Sequence, residues 1–310
     1  MEPTRKPANT AFKQQRLKAW QPLLTPKTVI PAFFLIGLVF IPIGVTLFLA
    51  SQRVVQLTLD YSLCSTAPPD FAPASGGISR WRYDPATRVC QLQFAVPSDM
   101  APPVFLYYRL TNFYQNNRRY VKSFDLKQLG GQADQGPTDL ENCEPLRFAD
   151  PATQVVVGGA NVTVLPGAVY YPCGLIANSL FSDEISDLSC VAASGLSQCQ
   201  ATATAPALSY PFASDKIAWP ADADRFGMTQ WTQKPDWQRK IVPPPFWRIA
   251  FPQFRDGYTL ENLPNLKEFH RLHVWMRTAG LPTFRKLWGS SETQLFQGTW
   301  QINITQSIYN

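Results

Sequence analysis

Residues Val29 to Ala50 read VIPAFFLIGLVFIPIGVTLFLA, 22 residues without a charge, with Lys27 just before the run and Arg53 just after it. As a helix rising 1.5 Å per residue this run would span about 33 Å, enough for a hydrocarbon core of about 30 Å. Pro31 and Pro42 would each remove a backbone hydrogen bond, which membrane helices tolerate better than soluble ones. A secretory signal has a shorter apolar core and a small-residue cleavage site, and neither description suits this run. A buried soluble helix usually keeps a polar face, and this one has none. The stretch predicts a transmembrane helix over 29–50.

The charges on either side assign the two ends. Residues 1–28 hold six cations, Arg5, Lys6, Lys13, Arg16, Lys18 and Lys27, against Glu2 alone, a net of +5. The whole chain carries +6, so the other 282 residues sum to +1. Positive flanks stay cytosolic, so the expectation is a cytosolic tail over 1–28 and an extracytosolic domain over 51–310. The high isoelectric point therefore describes a membrane-proximal tail and does not argue for nucleic-acid binding. Phe12, Leu17, Trp20, Leu23 and Leu24 lie among the tail's cations, a composition that suits a headgroup surface as well as an unstructured flank.

The six cysteines, Cys64, Cys90, Cys143, Cys173, Cys190 and Cys199, all follow the apolar run. An even count on the oxidising side reads as a disulfide framework. Without a CxxC pair, and with two histidines in the chain, a zinc site competes poorly. The sequons Asn161-Val162-Thr163 and Asn303-Ile304-Thr305 fall on the same side and are candidate glycosylation sites.

Prolines (28 of 310) and aromatics at 13% favour short strands and turns over long helices. Alternating patterns predict strands at Val54–Leu63, Val89–Val96, Val104–Leu110 and Thr299–Ile304, with a short hairpin over Val155–Val157 and Val162–Val164. Residues 67–77 and 130–138 read as loops, and 186–206 as an insertion loop that a Cys190–Cys199 bond would close locally. Residues 231–256 form an irregular aromatic stretch, and 265–278 is a candidate helix. The fold class expected is a membrane protein: an N-terminal transmembrane helix, then a mainly β, antiparallel sandwich-like, disulfide-bonded ectodomain with short helices.

Two patterns invite an enzymatic reading. Asp222-Ala223-Asp224 has the letters of the metal-binding DxD of lumenal glycosyltransferases, in a turn-like WPADADRF context. His270 and His273 have HxxH spacing but lack the glutamate of a zinc protease. No GxSxG, Walker loop or GxGxxG occurs. The chain does not read as an enzyme, and no cofactor or metal is expected. A lumenal glycosyltransferase-like enzyme or a receptor-like ectodomain stands as the alternative. The densest signal is Tyr107–Ser123, YYRLTNFYQNNRRYVKS, where aromatics, cations and amides alternate. Guanidinium groups there can stack on rings and grip carboxylates. The competing reading is a strand whose rings fill the core, and a mixture of core and interface is expected.

Several segments together resemble one family: TAFKQQRLKAWQP (10–22), FLYYRLTNFYQNNRRYVKS (105–123), NCEP (142–145), PCGLIANSLFSD (172–183), KIAW (216–219), VWMRTAGLPTFRKLWG (274–289) and INIT (302–305). The chain is similar to the cell-division-control-protein-50, or ligand-effect-modulator, family, the non-catalytic β-subunits of type-IV P-type ATPase phospholipid flippases. The resemblance implies a heterodimer with a flippase catalytic subunit, whose exit from the endoplasmic reticulum and transport cycle the chain supports. It also implies a final residence in the endoplasmic reticulum, Golgi, endosome or plasma membrane. Members cross the membrane twice. No stretch after Ala50 is apolar enough to span, so the expectation is a chain that continues into a second helix or one anchored differently. With the resemblance, the expected disulfides are Cys64–Cys90, Cys143–Cys173 (like the family's second clamp) and Cys190–Cys199. The expected partner-binding residues are Phe12, Arg16 and Trp20 in the tail, and Tyr107, Tyr108, Phe113, Tyr114, Arg118, Arg119, Tyr120, Trp275, Arg277, Phe284 and Arg285 in the ectodomain.

Overall fold

The computed structural model describes residues 6–19, 25–133, 139–191 and 208–307. The chain forms two units, Met1–Gln56 and Leu57–Asn310.

The first unit is built on helix α1, Pro26–Gln52, with Pro31 and Pro42 inside it and no residue buried. It is the one helix among the described residues long and apolar enough to cross a membrane. The hydroxyl within its apolar run is satisfied internally: Thr46 Oγ1 donates to Ile43 O at 2.8 Å and Pro42 O at 3.0 Å. An apolar solvent therefore need not hydrate that group.

The second unit is mainly β with short helices. Its strands are β1 (Ala72–Pro73), β2 (Arg80–Asp84), β3 (Val89–Val96), β4 (Val104–Leu110), β5 (Gln154–Val157), β6 (Ala160–Thr163) and β7 (Val169–Tyr170). After them come β8 (Glu184–Ile185), β9 (Leu188–Cys190), β10 (Ser209–Tyr210), β11 (Ile241–Val242), β12 (Phe284–Ser291) and β13 (Gly298–Thr305). The short helices are α2 (Arg118–Lys122), α3 (Leu126–Leu129), α4 (Leu175–Asn178), α5 (Pro220–Ala223), α6 (Trp237–Lys240), α7 (Pro245–Ala250) and α8 (His270–Met276). The main sheet runs β1-β2-β3-β13-β9-β10, with β8 also on β13. At its centre β3 and β13 pair antiparallel from Val89↔Thr305 to Val96↔Gly298. That register puts Cys90, Leu92, Phe94 and Val96 opposite Ile304, Ile302, Trp300 and Gly298 on the core face. The opposite face is polar: Gln93 Nε2 donates to Gln301 Oε1 at 3.2 Å, and Gln301 Nε2 to Asn303 Oδ1 at 3.0 Å. Period-two alternation is the cause. Two further ribbons are antiparallel, β4–β12 and β5–β6, while β7 and β11 pair in parallel, Val169 beside Ile241. Disulfides join Cys64 to Cys90 and Cys143 to Cys173. Cys199 lies outside the described residues.

Several expectations need correction. Val54–Leu63 is not a strand: the segment is irregular, leading into the turn Cys64–Thr66. Alternation is not enough there, because a strand needs a neighbour to complete its ladder, and the segment's Asp60 N instead donates to Gly76 O at 3.1 Å. The segment 186–206 begins as sheet, since β9 pairs with both β13 and β10; residues 192–206 lie outside the described residues. The helix expected over 265–278 is only His270–Met276. Asn265 Oδ1 accepts from Lys267 N at 3.2 Å, a local turn that competes with helix at the start. Strands β2 and β12 form where none was expected; in β12 the buried Lys286 breaks the apolar alternation.

Gly174 shows how tightly the short elements are joined. Its φ is +96°, and a Cβ would lie 2.1 Å from Ser123 O. Ser123 Oγ in turn accepts from Leu175 N at 2.8 Å, at the start of α4. Gly174→Ala is expected to cost roughly 1–3 kcal/mol or more. A thermal melt should show it as a drop of about 2–4 °C per kcal/mol.

Candidate partner-binding surface

The two longest motifs, 105–123 and 274–289, are far apart in sequence and adjacent in space. The β4–β12 register sets Phe284 opposite Leu110, Arg285 opposite Arg109, Lys286 opposite Tyr108 and Leu287 opposite Tyr107. Beyond the strands, the fully buried Gln115 stitches the motifs together. Its Oε1 accepts from Ala279 N at 2.9 Å, and Asn116 Nδ2 donates to Gly280 O at 3.0 Å. Asn117 caps α2, accepting from Arg119 N at 3.0 Å.

Under this ribbon lies an aromatic layer. Tyr108 stacks on Phe181 with centroids 3.9 Å apart, and its edge faces Trp288 at 6.2 Å. Trp275, 1% exposed, meets Phe113 edge-on at 5.5 Å and donates its indole N–H to Ile176 O at 2.8 Å. Trp247 Nε1 donates to the next carbonyl, Ala177 O, at 2.7 Å. Helix α4 thus spends its carbonyls on two tryptophans. Tyr120 OH and Ser179 Oγ are 2.7 Å apart. Arg271 lies 3.5 Å over Trp288 while reaching Glu184 at 3.3 Å, a cation satisfied by a ring and a carboxylate.

Lys286 is buried under the ribbon and holds the C-terminal end of α8. Its Nζ donates to Val274 O at 3.1 Å, to Trp275 O at 3.4 Å and to Arg277 O. A cation at a helix C-terminus is favourable, while burial, with Arg277 adding, pushes its pKa down to about 8.

The expected interface residues fall into two classes. Tyr108 and Trp275 are core, and Phe113, Tyr120 and Phe284 are half-buried against it. Tyr107, Tyr114, Arg118, Arg119, Arg277 and Arg285 are exposed. Arg277 is engaged within the domain, 3.2 Å from Asp222 and over Trp219. In the tail, Phe12 and Arg16 are exposed, and Trp20 lies outside the described residues. Phe105, Arg109 and Leu287 are not among the expected interface residues, although Arg109 lies within the stretch Tyr107–Ser123 singled out for recognition; all three share the outer face of the ribbon with Tyr107 and Arg285. The alternation of β4 carried that signal for Phe105 and Arg109.

Two of the enzymatic candidates, Asp222 and His273, are engaged in contacts within the domain. Asp222 is paired with Arg277 at 3.2 Å and Arg225 at 3.9 Å, and Asp224 is exposed. His273 is buried, its Nε2 2.7 Å from Leu266 O and its ring stacked on Phe226 at 3.9 Å. With Leu266 O accepting, Nε2 carries the proton of the neutral ring. Its buried Nδ1 has no partner, so a second proton would find no acceptor. Burial, helped by His270 5.3 Å away, holds the imidazole pKa below its usual value. The unfolded chain therefore binds this proton more readily, and His273 contributes stability above about pH 6.5 that is lost as pH falls toward its folded pKa. Thermal melts between about pH 7.5 and about pH 5.5 should show a falling midpoint. His273→Gln, which keeps an N–H for Leu266 O, should flatten part of that slope.

Sequence comparison gives these segments a family. Residues 47–310 match the model of the LEM3 (ligand-effect modulator 3) family / CDC50 family. The phospholipid-transporting ATPase accessory subunit CRF1 of Saccharomyces cerevisiae is 37% identical over 309 residues, covering 94% of this chain and 69% of that protein. The phospholipid-transporting ATPase accessory subunit CDC50 of Chaetomium thermophilum is 32% identical, covering 99% of this chain and 76% of its own length. Cell cycle control protein 50A of Bos taurus is 34% identical, covering 97% and 75%. The match runs through the main sheet, both disulfides and the β4–β12 ribbon, and the chain belongs to the LEM3/CDC50 family.

Proposed function

We propose that this chain is the non-catalytic accessory subunit of a type-IV P-type ATPase that translocates phospholipid. It accompanies the catalytic subunit out of the endoplasmic reticulum and remains with it during transport. The observation that carries this reading is the match to accessory subunits of phospholipid-transporting ATPases over nearly the whole chain. Hydrolysis of ATP and movement of lipid belong to the partner. In this reading α1 crosses a membrane of the secretory pathway, the basic tail with Phe12, Arg16 and Trp20 lies on the cytosolic side, and the β-rich domain faces the lumen or exterior. That domain caps the partner's extracytosolic loops. Contact that differs between the partner's states biases its conformational equilibrium, because a binding partner shifts a population only by its differential affinity.

Co-expression with a type-IV ATPase catalytic subunit and purification in mild detergent should recover the two together. Deleting the accessory chain should hold the ATPase in the endoplasmic reticulum by microscopy. An ATPase that reaches its destination and turns over normally without the chain would overturn the reading.

The orientation has its own check. Asn161 is exposed on the β5–β6 hairpin, whereas Asn303 is part-buried in β13. Glycosidase treatment of protein from a eukaryotic host should raise gel mobility, and Asn161→Gln should remove part of that shift. No shift at either sequon would count against a lumenal domain.

A further inference from the structure

The outer face of the β4–β12 ribbon has a composition that the domain itself does not use. Arg109 and Arg285 stand directly opposite each other in the register. Side chains so placed have Cβ atoms about 4.5–5.5 Å apart, where like charges repel. Both are exposed, and among the described residues neither forms an ion pair with a carboxylate. Arg285 leans 5.7 Å from the Tyr107 ring centre. On the same face Phe105 is 50% exposed, Tyr107 is 46% exposed, and Leu287 lies opposite Tyr107. The strip therefore joins two unneutralised guanidinium groups to exposed apolar surface.

The ribbon's edge is a second observation. Among the described residues β4 pairs with β12 alone. The far side of β12 is partly met by Ala213, bridged to Ser290, while no ladder covers the far side of β4. An open strand edge is a template for an added extended peptide.

We propose that the outer face of the ribbon, with the open edge of β4, docks an extended acidic segment of the partner ATPase, whose carboxylates engage Arg109 and Arg285. This rests on the accessory-subunit reading and deepens it by naming the surface and the chemistry of what it holds. Guanidinium forks match carboxylates bidentately, and a nearby carboxylate relieves the repulsion between the two arginines. Lipid phosphate shares that ionic chemistry, but it cannot continue a backbone ladder, so the open edge selects a peptide. Phe105, Tyr107 and Leu287 supply the apolar contact around the charges.

The test is co-purification of the full-length chain with a co-expressed type-IV ATPase catalytic subunit, comparing wild type with Arg109→Glu/Arg285→Glu. Recovery of the ATPase per accessory chain should fall about tenfold or more, and wild-type recovery should weaken as salt is raised. The milder pair Arg109→Gln/Arg285→Gln removes the repulsion without adding charge. It should leave the thermal midpoint unchanged or raised while still lowering recovery severalfold, which separates lost docking from misfolding. Full recovery by both variants would overturn the inference while leaving the accessory-subunit reading standing. Absence of the ATPase from the wild-type preparation would overturn both. Loss of binding to phosphatidylserine vesicles by the variants, with ATPase recovery unchanged, would assign the strip to lipid and overturn the peptide docking proposed here.

Discussion

The pairing of β3 with β13 is the constraint on which the rest of the domain depends. It joins Val89–Val96 to Gly298–Thr305 across some two hundred residues, so the intervening chain must leave the sheet and return to it. The free energy of closing such a loop is met where Leu92, Phe94, Trp300, Ile302 and Ile304 are removed from water together. Most of the buried apolar residues described between those strands join the core they create, while Ala149, Val155, Val164, Ala168 and Val242 form a smaller core of their own beside the β5–β6 hairpin. The Cys64–Cys90 disulfide fixes the segment before β3 to that strand, and the second disulfide gathers two turns that support α4.

The aromatic layer is specified by polar groups as much as by area. Several of the large buried rings bring their own donor to a carbonyl: Trp275 to Ile176, Trp247 to Ala177, Trp288 to Ile185 and Tyr258 to Tyr171. An indole N–H left unpaired in that setting would cost its desolvation without return. These bonds fix where each ring sits, and the rings in turn fix the β4–β12 ribbon. Gln115 and Lys286 play the same part from the polar side, spending their hydrogen-bonding capacity on turns and on the end of α8. The buried polar groups thus set the position of the exposed strip above them. The two faces of one ribbon differ, the lower one packed against the aromatic layer and the upper one exposed.

Much of this was legible in the residues. The charge-free run at Val29–Ala50 admits one helix, and α1 extends it by only a few residues at each end. Strands β3, β4 and β13 and the β5–β6 hairpin follow from alternation, because each has one buried face. Val54–Leu63 alternates equally well and forms no strand, since no neighbouring edge comes to meet it. In β12 the reverse holds: Lys286 at a core position hides the pattern, and its burial makes sense only once the carbonyls at the end of α8 are in place.

By itself the sequence determined the elements that depend on local chemistry: the apolar helix, the alternating strands, the confinement of cysteines and sequons to one side of the span, and the family through its motifs. The tertiary structure alone decided which rings of Tyr107–Ser123 are core and which are surface. It also decided that Asp222 and His273 serve internal contacts, and that Arg109 meets Arg285. The physical reason is that exposure, ion pairing and cross-strand proximity belong to pairs of residues far apart in the chain. A strand's own pattern states that it has two faces. Only the neighbour that packs against one of them settles which face is left for a partner.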